Sequence, residues 1–238
     1  MNKTTACITN RGKRTMNEDS VHLFQVEDVE VALVSDGLGG HGDGDIASKL
    51  VIETIETCFL MYPEFSEENI QKIIYAAHQN VLRLHEDGKK CKATIVAAFI
   101  KKDEMIIVHS GDSRLYSFGM FGITYMTRDH SVSQLAVDMG EISHEDIRNS
   151  PDRNKVLHCL GGTEFKIGIQ RQKVKKHTHR AILLCTDGFW QNVSEKEMMS
   201  SLRKSKNAEE WLNKMNIMLQ EKEDEKQDNY SAIAILNR

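Results

Sequence analysis

Glu18 and Asp19 in RTMNEDS, Asp36 in SDGLGGHG, Asp187 in TDGFW and Asp228 in QDNYSAI set five carboxylates beside apolar runs of strand character. Two of those runs share one grammar: VEVALVSDG (29–37) and RAILLCTDG (180–188) each lead an apolar strand into a hydroxyl residue, an aspartate and a glycine. An apolar run that stops at Asp-Gly reads as a buried strand ending in a turn, so each places one carboxylate at a sheet end. A lone Asp-Gly is an ordinary turn former. Five carboxylates converging from strand ends would be different, because two unit charges about 4 Å apart repel by roughly 4 kcal/mol at an effective dielectric near 20. Convergence therefore calls for cations. All-oxygen donors select hard ions such as Mg²⁺ or Mn²⁺ over zinc, and a shared carboxylate can bridge two of them, an arrangement suited to phosphoryl hydrolysis.

The elements that would position these groups follow from periodicity. Strand-like runs cover 4–9, 20–26, 29–34, 93–100, 105–109, 115–118, 123–126, 166–170, 181–186 and 231–236. The Glu27-Asp28 and Lys102-Asp103 connections are too short for a parallel crossover, so hairpins and antiparallel sheets are expected. Helical spacing of apolar residues predicts helices over 45–62 and 67–86, with later ones at 194–202 and 208–221, all of which must bury a face on something. Sheets covered by helical layers are the expected α+β architecture. The polar stretch 129–160 holds only short helical pieces, 131–138 and 144–148, and reads as an excursion over the surface.

The bulk properties narrow the classes. No linker or low-complexity tract divides the 238 residues, so one domain spanning 1–238 is expected. Lys and Arg total 31 against 35 Asp and Glu, a net charge of −4 mixed along the chain, which gives no basic stripe for nucleic acid and no polybasic segment for a membrane surface. No apolar stretch approaches the roughly 20 residues of a membrane span, and a cytoplasmic protein is expected. The five cysteines have no CxxC spacing and sit mostly within apolar runs, which suits reduced, buried thiols.

Read together, R-x-x-N-E-D (14–19), D-G-x-G-G-H (36–41), G-D-S-R (111–114), D-H-S (129–131), D-G-x-W (187–190) and D-N-x-S (228–231) resemble the ordered motifs of the metal-dependent serine/threonine protein phosphatases of type 2C, the PPM family, in their compact bacterial form. The resemblance covers nearly the whole chain, and residues 140–162 are similar to the flap beside the active site of bacterial members. It implies a four-layer α-β-β-α sandwich, two central antiparallel β-sheets flanked by helices, with a flap over about 129–162. It further implies phosphorylated proteins as substrates, a cognate Ser/Thr kinase as the opposing partner, a monomer, and two Mn²⁺ or Mg²⁺ ions with room for a third. Carried onto this chain, Asp36 bridges two ions with the Gly37 carbonyl as a further ligand, Asp187 and Asp228 hold one ion, Glu18 helps hold the other, and Asp19 orients water. A hydroxide bridging the ions would attack phosphorus, with Arg14 as the phosphate clamp, its planar fork gripping two oxygens as lysine cannot. Asp112 with Asp187 would hold the third ion; the alternative reading is that Asp112 caps a tight turn between Val108 and Leu115. Asn229 would support the site through hydrogen bonds.

Some positions depart from the family pattern. Leu38 stands where eukaryotic relatives carry a histidine offered as general acid, and Gln191 stands where a carboxylate commonly follows DGxW. His41 is one of ten histidines and reads either as a local hydrogen-bonding group or as a site residue. Asp43 and Asp45 read as caps of the helix that begins there, because an EF-hand's later ligands are missing. The run KVKKHTH (173–179) reads as a solvated hairpin and 221–226 as a solvated loop. Met198, Met199, Met215 and Met218 read as core filler. Two other classes stay open from sequence: a phosphoprotein-binding domain without turnover, and a phosphoesterase for small molecules.

Overall fold

In the computed structural model, residues 3–39, 43–86, 88–174, 179–222 and 227–237 are described. The chain forms β1 (Lys3–Asn10), β2 (Ser20–Val26), β3 (Val29–Ser35), the short β4 (Gly37–Leu38), α1 (Gly44–Met61), α2 (Glu67–Glu86), the short β5 (Lys92–Ala93), β6 (Ile95–Lys101) and β7 (Glu104–Ser110). There follow β8 (Arg114–Phe118), β9 (Ile123–Met126), α3 (Val132–Asp138), a 3-10 turn His144–Asn149, β10 (Gly168–Lys173), β11 (Ala181–Cys185), α4 (Asp187–Trp190), α5 (Glu195–Arg203), α6 (Ala208–Glu221) and β12 (Tyr230–Asn237).

Two five-stranded sheets carry the architecture, ordered β1-β12-β11-β8-β9 and β10-β7-β6-β3-β2, with every pairing antiparallel. The β2–β3 and β6–β7 hairpins turn at Glu27 and Lys102, the two non-glycine residues with positive φ (51° and 53°) among the described residues, which gives those tight turns the twist their strands need.

Alternation explains the layering. On β3, Val29, Val31 and Leu33 face the cluster shared with α1 and α2, whereas Ala32 and Val34 face the interior between the sheets. On β12, Ala232, Ala234 and Leu236 pack toward α6 while Ile233 and Ile235 point inward. Both faces of each sheet are thus apolar because both are covered, and the strands read as nearly continuous hydrophobic runs. The result is the expected four-layer α-β-β-α sandwich.

Element boundaries match the sequence reading closely, with four differences. The strand read at 166–170 lies at 168–173, since it is the register against β7, Gly168 opposite His109, that sets it. The α4 turn and the β4–β5 pair are too short to leave a periodic signal. Asp43 occupies the N-cap position of α1 without a side-chain capping bond, and its carboxylate pairs instead with Lys89 at 3.4 Å. Cys7 is exposed, unlike the buried Cys91, Cys159 and Cys185. Met198 and Met215 are fully buried in the α5–α6 layer, and Met199 packs against it. His41 and most of the segments 173–179 and 221–226 lie outside the described residues.

Candidate active site

The carboxylates come from the ends of both sheets. Asp36 follows β3 and Asp19 precedes β2, and the pairing of Ser20 with Ser35 sets these two aspartates side by side at one sheet end. Asp187 begins α4 directly after β11, and Asp228 precedes β12, whose Ser231 carbonyl accepts from the Thr186 amide at 3.0 Å. Asp112 lies where the chain crosses from β7 of one sheet to β8 of the other.

Hydroxyl groups hold this edge together. Thr94 Oγ1 accepts from the Asp36 amide at 3.0 Å and lies 2.7 Å from Ser113 Oγ, while the Thr94 amide donates to the Asp36 carbonyl at 2.8 Å. Thr186 Oγ1 donates to Asp19 Oδ2 at 2.9 Å. Asn229 is the knot between the termini: its amide nitrogen donates to the Arg11 and Met16 carbonyls, both at 2.8 Å, and its oxygen accepts from the Glu18 amide at 2.9 Å. Thr94 and Ser113 carry no sequence signal beyond their place beside a strand and within GDSR, and Asn229 does the supporting work expected of it.

Glycines decide how closely the backbone closes in. A side chain at Gly37 would run into the Gly44 and Glu18 carbonyls, and one at Gly188 into the Asn229 carbonyl, so only glycine permits these approaches. Glu18 Oε1 accepts from the Gly44 amide at 3.2 Å, which seats that carboxylate on the first turn of α1.

Electrostatics show the carboxylates as one group. Burial, then the charges of Asp19, Asp187, Asp112 and Asp228, push the Asp36 carboxyl well above its ordinary range, although Asp36 is only half-buried. Burial and Asp187 raise Asp112 well above its usual value in the same way. Asp19 is pushed up to about 7 by burial against the pull of its hydroxyl donors, and Asp187 to about 6 by burial and Asp228. Glu18 is also raised, chiefly by burial. A cation reaches the group at Arg14, whose Nη2 donates to Asp228 Oδ2 at 2.7 Å. Asp19 Oδ1 and Asp112 Oδ1 are buried without a hydrogen-bond partner.

These features fit hard divalent cations. Orphaned buried carboxylate oxygens are costly unless a cation or donor meets them, and mutually raised carboxyls are relieved by positive charge. Among the described residues, no three acidic, histidine or cysteine side chains are already drawn into a metal-holding arrangement. The fit rests on the donor set and its electrostatics.

A protonation test follows. The folded carboxyls of Asp19 (about 7) and Asp187 (about 6) lie above the value of about 3.9 for an unfolded aspartate. Between pH 4 and 7 the metal-free fold therefore holds protons that the unfolded chain has released, and stability falls as pH rises through that window. Urea midpoints in EDTA should correspond to about 1–3 kcal/mol more stability at pH 5 than at pH 8. With saturating Mn²⁺ the decline should vanish, because cations take the place of the protons.

The model of the family described as Protein phosphatase 2C matches residues 9–228. The chain belongs to the protein phosphatase 2C family. Its curated relatives include the serine/threonine phosphatase stp of Listeria monocytogenes, 33% identical over 212 residues that cover 85% of this chain and 84% of that protein. PstP of Mycobacterium tuberculosis is 27% identical over 196 residues, 80% of this chain and 37% of that longer protein. Among solved structures, a bacterial serine phosphatase superposes with a TM-score of 0.88 at 22% identity, covering 98% of this chain and 97% of that one. The catalytic domain of PstP, solved with two manganese ions, superposes with a TM-score of 0.83 at 24% identity over 98% of this chain and 97% of that one. In this protein phosphatase 2C chain no helix among the described residues is long and apolar enough to cross a membrane.

Proposed function

We propose that this chain hydrolyses phosphoserine and phosphothreonine on proteins, using two Mn²⁺ or Mg²⁺ ions. The observation that carries this reading is the gathering of raised carboxylates from both sheets around Asp36, in a chain whose relatives are named serine/threonine phosphatases. Asp36 would bridge the two ions, with the Gly37 carbonyl beside it; Asp187 and Asp228 would hold one and Glu18 would help hold the other. Asp112, with its orphaned oxygen, would serve a third. Bound there, such ions offset phosphoryl charge and supply hydroxide near neutral pH.

The residues around the ions have their own tasks. Asp19, held by Thr186, accepts hydrogen bonds from water and orients it. Arg14, 57% exposed at the side chain and tied to Asp228, can swing its fork onto a phosphate once Asp228 is engaged by a cation. Gln191 donates to Asp187 Oδ2 at 3.0 Å, so the position where relatives commonly carry a carboxylate here steadies a neighbouring one. We read the chain as one phosphatase domain acting in the cytoplasm as a monomer, with 129–162 as its flap, opposing a Ser/Thr kinase.

Purified protein with Mn²⁺ should release phosphate from phosphothreonine peptides and from an aryl phosphate, and failure on both would sink the catalytic reading. Arg14→Ala should raise KM by about tenfold to a hundredfold, the worth of a charge-assisted bidentate contact, while leaving Mn²⁺ affinity near that of the parent. Calorimetry and steady-state kinetics read the two separately.

A further inference from the structure

A polar cleft of about 630 Å³ opens beside the carboxylates, with Arg14 and Asp228 on one wall. The segment between α3 and β10 contributes Arg148, Arg153 and Asn154 to the lining, and Gln191, just after α4, completes it. Three arginines thus share one cleft whose lining contains a single carboxylate, that of Asp228, among the described residues.

Two of the three charges are already answered. Arg14 is paired with Asp228 at 2.7 Å. Arg148 is paired with Glu195 at 2.7 Å and rests 5.6 Å from the Trp190 ring. Arg153 has no carboxylate within ion-pair reach among the described residues; its guanidinium makes a long contact of 3.5 Å from Nη1 to the Ser150 carbonyl.

The backbone that presents Arg153 is pinned at both ends. The Arg153 amide donates to the Ser150 carbonyl at 3.2 Å and the Lys155 amide to the Asp152 carbonyl at 3.0 Å, closing a turn. Just beyond it, Ser131 and Val156 form a β-bridge, and the Val132 amide donates to the Lys155 carbonyl at 2.9 Å. Gln191 Nε2 donates to Asn154 Oδ1 at 3.4 Å. An uncompensated guanidinium held on a fixed turn, over a cleft continuous with the phosphate site, is a fixed positive potential awaiting an anion.

We propose that Arg153, with Arg148 behind it, reads an acidic side chain flanking the phosphorylated residue, so that the preferred substrates are phosphopeptides carrying Glu or Asp within about three residues of the phosphoserine or phosphothreonine. That distance follows from an extended strand rising about 3.3 Å per residue against the reach of an arginine side chain. This inference rests on the phosphatase reading and adds what selects among phosphoproteins.

The test uses the full chain with Mn²⁺ and a set of fluorescently labelled phosphothreonine peptides in which Glu, Gln or Lys is walked through the three positions on either side. The parent should favour Glu over Gln by about tenfold in kcat/KM at one or more positions and disfavour Lys there, with the preference shrinking as salt rises. Arg153→Ala should erase the Glu–Gln difference, Arg153→Lys should restore part of it, and aryl phosphate hydrolysis, which offers no flank, should stay at the parent rate. Anisotropy with the same peptides reads the preference independently of turnover, so a failure of catalysis leaves this test in force. Equal handling of Glu and Gln peptides by the parent, or a preference that survives in Arg153→Ala, overturns the proposal. An equal loss on every peptide and on the aryl phosphate also overturns it.

Discussion

Asp36→Ala should abolish calorimetric Mn²⁺ binding and lower turnover by about 10³-fold or more, since the proposed bridge would contribute to both ions and each ion supplies several kcal/mol of transition-state stabilisation. The companion variant Asp36→Asn, which keeps the side chain's shape without its charge, should make the metal-free protein more stable at pH 8. The reason lies in the electrostatics of the edge: burial and four neighbouring aspartates push the Asp36 carboxyl up, so the native fold carries the cost of holding it there. A site arranged for cations is strained without them, and removing one carboxylate relieves that strain while removing the function. Retained Mn²⁺ binding in the alanine variant, or an asparagine variant less stable than the parent in EDTA, would contradict the assignment.

Arg114→Met should be the most destabilising single change outside the carboxylate cluster. Arg114 is 1% exposed; its Nε and Nη2 donate to Asp129 Oδ1 and Oδ2 at 2.8 and 2.7 Å, Nη1 donates to the Tyr116 hydroxyl oxygen at 3.1 Å, and the guanidinium lies 3.4 Å from the Trp190 ring centre. Methionine fills much of that volume but leaves the buried Asp129 carboxylate without its partner, a loss of about 3–5 kcal/mol, or about 6–20 °C in Tm for a chain of this size. Arg114→Lys should rescue little, because an ammonium neither forks onto the carboxylate nor stacks on the indole. The double variant Arg114→Met/Asp129→Leu should recover most of the loss, since removing both charges removes the orphan; calorimetric melting of the three variants decides it. The effect should reach the site, because the Trp190 indole N–H beneath Arg114 donates to the Asp112 carbonyl at 2.9 Å.

The motifs GDSR and DHS therefore have a structural logic that their sequence only hinted at: Arg114 of one is the partner of Asp129 of the other. Their spacing gives no clue to this, because the bond forms across β8, β9 and the chain that follows. Glu18, Asp19, Asp36, Asp187 and Asp228 were legible as candidates for one shared site because each borders a strand of apolar pattern, and strand ends are where a sheet presents polar groups. Arg148 and Arg153 were not legible. They lie in a polar stretch with only short helical pieces, and only the turn at 150–155 and the β-bridge at Ser131 and Val156 bring them over the cleft.

By itself, the sequence determined the strands, their hairpins, the helices with buried faces and the identity of the acidic residues, because alternation, helical spacing and Asp-Gly endings are local consequences of backbone geometry and burial. Tertiary structure alone decided that the two sheets bring their carboxylate-bearing ends to one edge, that Asp36 lies within the field of four other aspartates, and which arginine keeps its charge unanswered. Those are properties of distances between residues far apart in the chain. Electrostatic energy depends on those distances and on burial, and neither is written in any local pattern.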